Sequence, residues 1–233
     1  MWSFPFSEGW PSAQTEEGTA AAFSPCLRLQ TTYEPQPDNP GKGTWTISAH
    51  RAPFSSPAWQ MRFDATTPVE LLQSLHTELF DLYLEDRHSD RDWLFEDETP
   101  AQEAYVPLLA RGWSHDVKTD GTQTFLPADR LAGVHHRYAT TSPHERAWWI
   151  WGGHHSEPHW QARITSGTPT ALVAAFTVSL ISTDPLIRIV NDVPLHTRRN
   201  LYLATATGKS PADRPAAQPP PAAGPGPGTG PSR

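Results

Sequence analysis

Cysteine is nearly absent: Cys26 is the one example in 233 residues, so no intrachain disulfide can form and a reducing compartment is permitted. Long apolar runs are missing as well. No stretch approaches the length of a membrane span, and the opening MWSFPFSEGW has neither a basic region nor an apolar run, so no signal peptide is expected. These absences lead us to expect a soluble cytoplasmic protein that does not engage a membrane. Basic charge is also short, with a formal net charge of −7 and a pI near 5.8. Such a balance argues against a protein devoted to wrapping phosphate backbones, and it disfavours a nucleic-acid partner. The chain carries no H-E-x-x-H, no G-x-S-x-G elbow and no glycine-rich phosphate loop. No catalytic residue can be named, no cofactor is expected, and an enzyme is not the favoured reading.

What is present is a repeat. WQMRFDATTPVELLQSLHTEL, from Trp59 to Leu79, returns as WQARITSGTPTALVAAFTVSL from Trp160 to Leu180. Trp59, Gln60, Arg62, Thr67, Pro68, Leu71 and Leu79 pair without a gap with Trp160, Gln161, Arg163, Thr168, Pro169, Leu172 and Leu180. About one identity would arise by chance in such a window. Upstream, Gly9-Trp10 answers Gly112-Trp113, Gly18-Thr19 answers Gly121-Thr122, Pro25 answers Pro127, and Trp45-Thr46-Ile47 aligns with Trp148-Trp149-Ile150. The loop RAPFSSPAW of the first copy is longer than HHSEPHW of the second.

Within each copy the apolar period changes from two to near four. Trp59, Met61 and Phe63 alternate with Gln60, Arg62 and Asp64, as a strand with one buried face does. Thr67 then reads as an N-cap, Pro68 as the first helical residue and Glu70 as the partner in a capping box. Leu72, Leu75, Leu79 and Leu82 follow on one helical face, each contributing on the order of 1.5 to 3 kcal/mol when buried. The second copy repeats the pattern with strands at Val134–Tyr138, Trp148–Gly152 and Trp160–Ile164 and a helix from Pro169 to about Ile181. The spacing predicts an α+β fold of two pseudo-symmetric repeats, each an antiparallel β-sheet followed by an amphipathic helix packed on one face.

The remaining segments divide the chain. Residues 1–8 form an N-terminal segment, 9–85 the first repeat, 86–111 a charged linker with a helix led by Thr99, 112–208 the second repeat with closing segments, and 209–233 a tail. Pro35 to Gly43 reads as a turn region, and Glu85 to Glu98 as a solvated acidic connection. Leu186–Val190 and Leu201–Thr205 read as short closing segments. The tail, rich in Pro, Gly and Ala, is expected to be disordered, and it lacks P-x-x-P spacing.

Tandem copies with G-W at the start, a Ser-Pro turn, a W-x-[IV] strand, a P-x-W strand and T-P opening a helix resemble the actinobacterial SPDY-domain family, a domain of unknown function usually found twice per chain. The resemblance covers nearly everything from Gly9 to about Leu203. The tetrad behind the family name is degenerate here, as Ser24-Pro25-Cys26-Leu27 and as Leu126-Pro127-Ala128-Asp129. What the resemblance implies is architecture and no mechanism.

The two copies differ most on the strand face opposite the helix. If Trp45, Trp59, Trp148 and Trp160 point inward, alternation turns Gln30, Thr32, Thr46, Ser48, Gln60 and Arg62 outward in the first copy. The same rule turns His135, Arg137, Trp149, Trp151, Gln161 and Arg163 outward in the second. The first set is polar and bland; the second is aromatic and cationic, and Trp with Arg is the usual hot-spot pair. These six residues are the candidate binding site, and the expected partner is an unidentified protein or a second copy of the chain. Covering of Trp149 and Trp151 by the other repeat or by a second subunit is the plain structural alternative.

A histidine- or metal-dependent hydrolase is the enzymatic alternative, drawn from His135, His136, His144, His154, His155 and His159. Neighbouring histidines on a strand face opposite ways, so a metal site is not expected. Asp86, Asp90, Asp92 and Glu96 cluster in the linker, where paired carboxylates are ordinarily solvated. Stacking of single-stranded bases on Trp149 and Trp151, with Arg137 and Arg163 at the phosphates, is the third reading.

Overall fold

The computed structural model describes residues 10–36, 39–96 and 98–184. The chain divides into two units, 1–186 and 187–233, and every described residue belongs to the first. The N-terminal segment, the closing segments and the Pro/Gly/Ala-rich tail of the sequence reading lie outside the described residues.

The strands are β1 (Ser12–Gln14), β2 (Ala20–Phe23), β3 (Leu29–Gln36), β4 (Asn39–His50), β5 (Pro57–Asp64), β6 (Ser114–Val117), β7 (Thr122–Leu126), β8 (Ala132–Arg137), β9 (Arg146–His154) and β10 (Glu157–Thr165). They form one antiparallel ten-stranded sheet in the order β1-β2-β3-β4-β5-β10-β9-β8-β7-β6. Two meanders therefore join along the β5–β10 seam, where Ala162 stands opposite Phe63, Arg163 opposite Arg62 and Ile164 opposite Met61. The period-two pattern of the sequence specifies each strand's buried face but carries no information about which strands of the two meanders meet.

Helices α1 (Val69–His88) and α3 (Thr170–Leu180) follow β5 and β10. Both pack on one side of the sheet. Leu72, Leu75 and Leu79 of α1 and Leu172, Val173 and Phe176 of α3 share one core with Ile47, Trp59, Met61, Phe63, Ile150 and Ile164. The rings of Phe63 and Phe176 lie 5.6 Å apart, so the end of the first meander packs directly on the second helix. Among the described residues no helix is long and apolar enough to cross a membrane.

The helix starts differ from expectation. Pro68, with ψ 130, is the flanking residue of α1 and makes no side-chain cap bond. The amides of Leu71 and Leu72 turn back to the Pro68 carbonyl, and the buried Thr67 hydroxyl has no hydrogen-bond partner among the described residues. The T-P-x-E pattern thus sits one position earlier than a capping box would need. The region from Pro35 to Gly43, read as a turn, is strand on both sides of residues 37–38. Pro35 is tolerated because the ladder is irregular there, and a Cβ at Gly43 would meet the Tyr33 ring at 2.8 Å.

The connection after α1 is not a solvated linker. Leu94 is fully buried, and its carbonyl accepts a 2.7 Å hydrogen bond from the Trp59 indole N–H. Its charges are organised too: Arg28 joins Asp86 of the last turn of α1, at 3.0 Å, to Asp92 of the connection, and stacks on Phe95. The helix expected before Gly112 is a 3₁₀ turn (Ala101–Ala104) followed by the short α2 (Val106–Ala110). Through Leu108 and Tyr105 it completes the core at the β8–β9 end.

Candidate functional site

The side of the sheet away from the helices carries the candidate residues. On β8, Val134 and His136 are buried toward the core, which turns Gly133, His135 and Arg137 the other way. On β9, Trp148 and Ile150 face the core, leaving Trp149 and Trp151 beside His135. On β10, Ala162 and Ile164 are buried, leaving Gln161 and Arg163 on the outer side.

Five of the six expected residues come together. The indoles of Trp149 and Trp151 stack with centroids 4.6 Å apart. His135 meets both edge-on at 5.4 and 5.1 Å, and His155, from the β9–β10 turn, meets both at 5.1 Å. Gln161 Oε1 accepts from Trp149 Nε1 at 3.1 Å and from Arg163 Nη2 at 3.2 Å. One amide oxygen therefore ties the aromatic pair to the guanidinium. Arg137 stands apart, paired with Glu145 at 3.4 Å.

Trp151 faces away from the helices yet is 0% exposed. It lies against Gly133, where a Cβ would come within 2.1 Å of the ring, and it is roofed by Trp149, His135 and His155. Its indole N–H has no acceptor among the described residues. Trp149 is half-buried and Arg163 is exposed, so these two present the cluster to solvent.

The site extends across the seam. Arg62 is exposed on the same side, directly opposite Arg163, and its Nε donates to Gln60 Oε1 at 3.0 Å. Each arginine is thus oriented by the glutamine two residues before it on its own strand. Alternation alone turned Gln60 and Arg62 outward. Their membership of the site required the β5–β10 pairing, and no signal in the sequence announces that pairing. His155 was legible only as one of many histidines.

Both signs of charge occur on this side. Among the described residues neither Arg62 nor Arg163 forms an ion pair. Asp64 lies near them, its carboxyl pushed up by burial against the opposing effects of Gln161 hydrogen bonds and the Arg163 charge. Glu70, Glu78, Asp81, Glu85 and Asp86 all sit on α1. Burial, with Asp81 and Glu85 as neighbours, raises the Glu78 carboxyl. His135 is held below the ordinary histidine range by burial and then by the His155 charge, which favours a neutral ring against the indoles.

Other histidines do structural work. His136 stacks on Trp148 at 3.8 Å, meets the Tyr105 hydroxyl through Nδ1, and is depressed by burial to about 4. His50 Nδ1 lies 2.6 Å from the Ser55 carbonyl and its Nε2 3.2 Å from Ser48 Oγ, closing the β4–β5 loop. Among the described residues no group of three or more His, Cys, Asp or Glu is placed to hold a metal ion.

The chain matches SPDY, a domain of unknown function (DUF317), over residues 23–84 and 128–186, together more than half of its length. It belongs to the SPDY family. No curated protein and no solved structure matches the chain. The SPDY tetrad region is a tight turn in which Leu27 takes φ 58 and Arg130 takes φ 55. The next carbonyls, of Arg28 and Leu131, accept from His50 N and Gly153 N. These equivalences set Ser24 opposite Pro127 and Cys26 opposite Asp129, one residue away from the Pro25–Pro127 alignment of the sequence. The buried Ser24 hydroxyl accepts from Leu29 N in one turn, and Asp129 accepts from Leu131 N in the other. The tetrad's polar side chains thus close a turn and need no ligand to explain them.

Proposed function

We propose that this SPDY-family protein is a non-enzymatic binding module whose working surface is the helix-free side of the sheet, running from Arg62 across Arg163 and Trp149 to His135. The observation that carries this reading is the cross-strand pair Arg62–Arg163, placed in the middle of that side without an ion pair among the described residues, with the Asp64 carboxyl nearby acting on the Arg163 charge alone. Like charges directly opposite each other on a sheet are destabilising, and such a cost persists where an anionic group is to be met. The two halves are copies related across the seam. Supporting this, the repeated Trp-Gln-x-Arg motif supplies both arginines and both orienting glutamines. The partner is a macromolecule or a second copy of the chain, met in the cytoplasm, where a lone Cys26 stays reduced.

The test is capture from lysate of the source organism by wild-type protein and by the Arg62→Glu/Arg163→Glu variant, both shown to be folded by circular dichroism. A binding partner retained by the wild type and lost by the variant is expected. Identical recovery by both would remove the surface from consideration.

A hydrolytic second reading rests on one geometry: Ser48 Oγ lies 3.2 Å from His50 Nε2, and the Ser55 carbonyl fixes the other ring nitrogen. Both side chains are buried and the contacts also close the loop, which makes a structural role the stronger account. A fluorophosphonate probe that leaves Ser48 unlabelled would end the hydrolytic reading.

A further inference from the structure

We propose that the Arg62–Arg163 pair is a phosphodiester site for single-stranded nucleic acid, with Trp149, the cross-strand neighbour of Arg163, as the surface on which an unpaired base stacks. The inference rests on the helix-free side being the working surface and names its ligand class.

Geometry comes first. Arg62, Arg163, Trp149 and His135 occupy one continuous row across β5, β10, β9 and β8, because the register pairs Arg62 with Arg163, Arg163 with Trp149 and Trp149 with His135. Adjacent strands are about 4.8 Å apart, so two guanidiniums and an indole line up at regular intervals on an open platform. Gln60 and Gln161 hold the guanidiniums through single hydrogen bonds to Nε and Nη2, leaving other N–H donors of each arginine for phosphate oxygens.

The choice of ligand follows from what surrounds the row. Trp151, the residue that would have made an apolar patch with Trp149, is sealed under His135 and His155. The neighbours on the first meander are Gln30, Thr32, Thr46 and Gln60, with the carboxylates of Glu34 and Asp64 and the cation of Lys42 at the far end of the same strands. A protein interface draws on an apolar centre, and this surface offers one half-exposed ring amid hydrogen-bonding groups and the two arginines, with the carboxylates Asp64 and Glu34 set to one end of it. That composition suits a polyanion with stackable bases. A duplex keeps its bases stacked away from Trp149, which favours a single strand. Part of the negative charge that told against nucleic acid at the level of composition lies on α1, on the opposite side of the sheet, as Glu70, Glu78, Asp81, Glu85 and Asp86.

Fluorescence anisotropy on the full chain tests this. The probes are labelled single-stranded DNA and RNA of about 20 nucleotides, long enough for several binding registers, and a labelled oligoglutamate peptide. Wild type is compared with Arg62→Gln, Arg163→Gln, the double variant and Trp149→Leu, each checked by circular dichroism. We expect binding of at least one oligonucleotide, weakened about tenfold by each single substitution. The log–log salt slope should fall by about 0.7 for each phosphate contact removed. The DNA and RNA arms distinguish the two sources of the same phosphodiester.

Absence of oligonucleotide binding at low salt, or binding indifferent to the double variant, overturns the proposal. If only oligoglutamate binds, and does so through the same arginines, the ligand is an acidic polypeptide: the nucleic-acid proposal fails while the working surface stands. If no probe binds and lysate capture is also unaffected by the charge reversal, both fail together.

Discussion

Trp151 lies flat against Gly133 of the neighbouring strand, so closely that a Cβ there would sit 2.1 Å from its ring. The position facing the indole must therefore be a glycine, and the reason is contact, not backbone conformation. Gly133→Ala forces the ring or the strand to shift and should destabilise the fold by about 1 to 3 kcal/mol or more in urea denaturation. Full retention of stability would mean the ring does not occupy this place.

The same relationship separates Trp151 from Trp149. Trp151→Ala should cost about 3 to 5 kcal/mol, as for other buried aromatic truncations. Trp151→Phe should cost much less, because it also removes an indole N–H that has no acceptor among the described residues. Trp149→Ser, half-exposed, should leave a folded protein. Equal losses for Trp149→Ser and Trp151→Ala would contradict the burial found here.

Several features of this arrangement could be read in the residues alone. Alternation about Trp59, Met61 and Phe63 fixed which side chains face the helices, and the leucines of α1 fixed where it packs, because burial imposes period two on strands and near four on helices. Two things could not be read. Pairing of β5 with β10 is a long-range contact with no local signature, so the facing of Arg62 and Arg163 stayed hidden. The outward direction of Trp151 was legible, but its closure by His155 depends on how one turn folds back. The acidic connection misled for a related reason: composition reports its charges, whereas Leu94 and the Trp59 N–H decide its place.

Acid should weaken the fold through histidines buried as neutral rings. His136 is depressed to about 4 and His76 to about 3, in both cases by burial. Their stability contribution is complete above the unfolded value near 6.5 and is lost as pH falls toward those folded values. Each such histidine costs about 1.4 kcal/mol per pH unit across that window. Urea midpoints should fall steadily between pH 6.5 and 4, and less steeply in His136→Gln. An unchanged slope in that variant would show that His136 is not a source of the acid sensitivity.

Trp59 links the first meander to the connection after α1. Replacing it by Phe keeps most of the ring volume but leaves the Leu94 carbonyl without its 2.7 Å donor. The expected loss is about 1 to 3 kcal/mol, the usual penalty for an unmet buried acceptor. Hydrogen exchange should rise most in residues 92–96. A uniform rise across the sheet would mean that the connection is not the part anchored by this bond.

Arg28 is the other anchor of that connection, and its removal tests whether the carboxylates there are neutralised or merely solvated. The Asp86 side chain is 4% exposed and lies 3.0 Å from Arg28 Nη1. Burial raises the Asp86 carboxyl, opposed by the Leu94 N–H and by the Arg28 charge. Arg28→Ala leaves a buried carboxylate without its cation and should cost about 3 kcal/mol at neutral pH. A raised carboxyl binds its proton more tightly in the folded state than in the unfolded one, so its burden on stability lightens as pH falls. The gap between Arg28→Ala and wild type should therefore narrow on acidification, and Asp86→Asn should recover part of the loss at neutral pH. A gap that is constant with pH, together with no rescue by Asp86→Asn, would assign the Arg28 contribution to its packing on Phe95 instead of its charge.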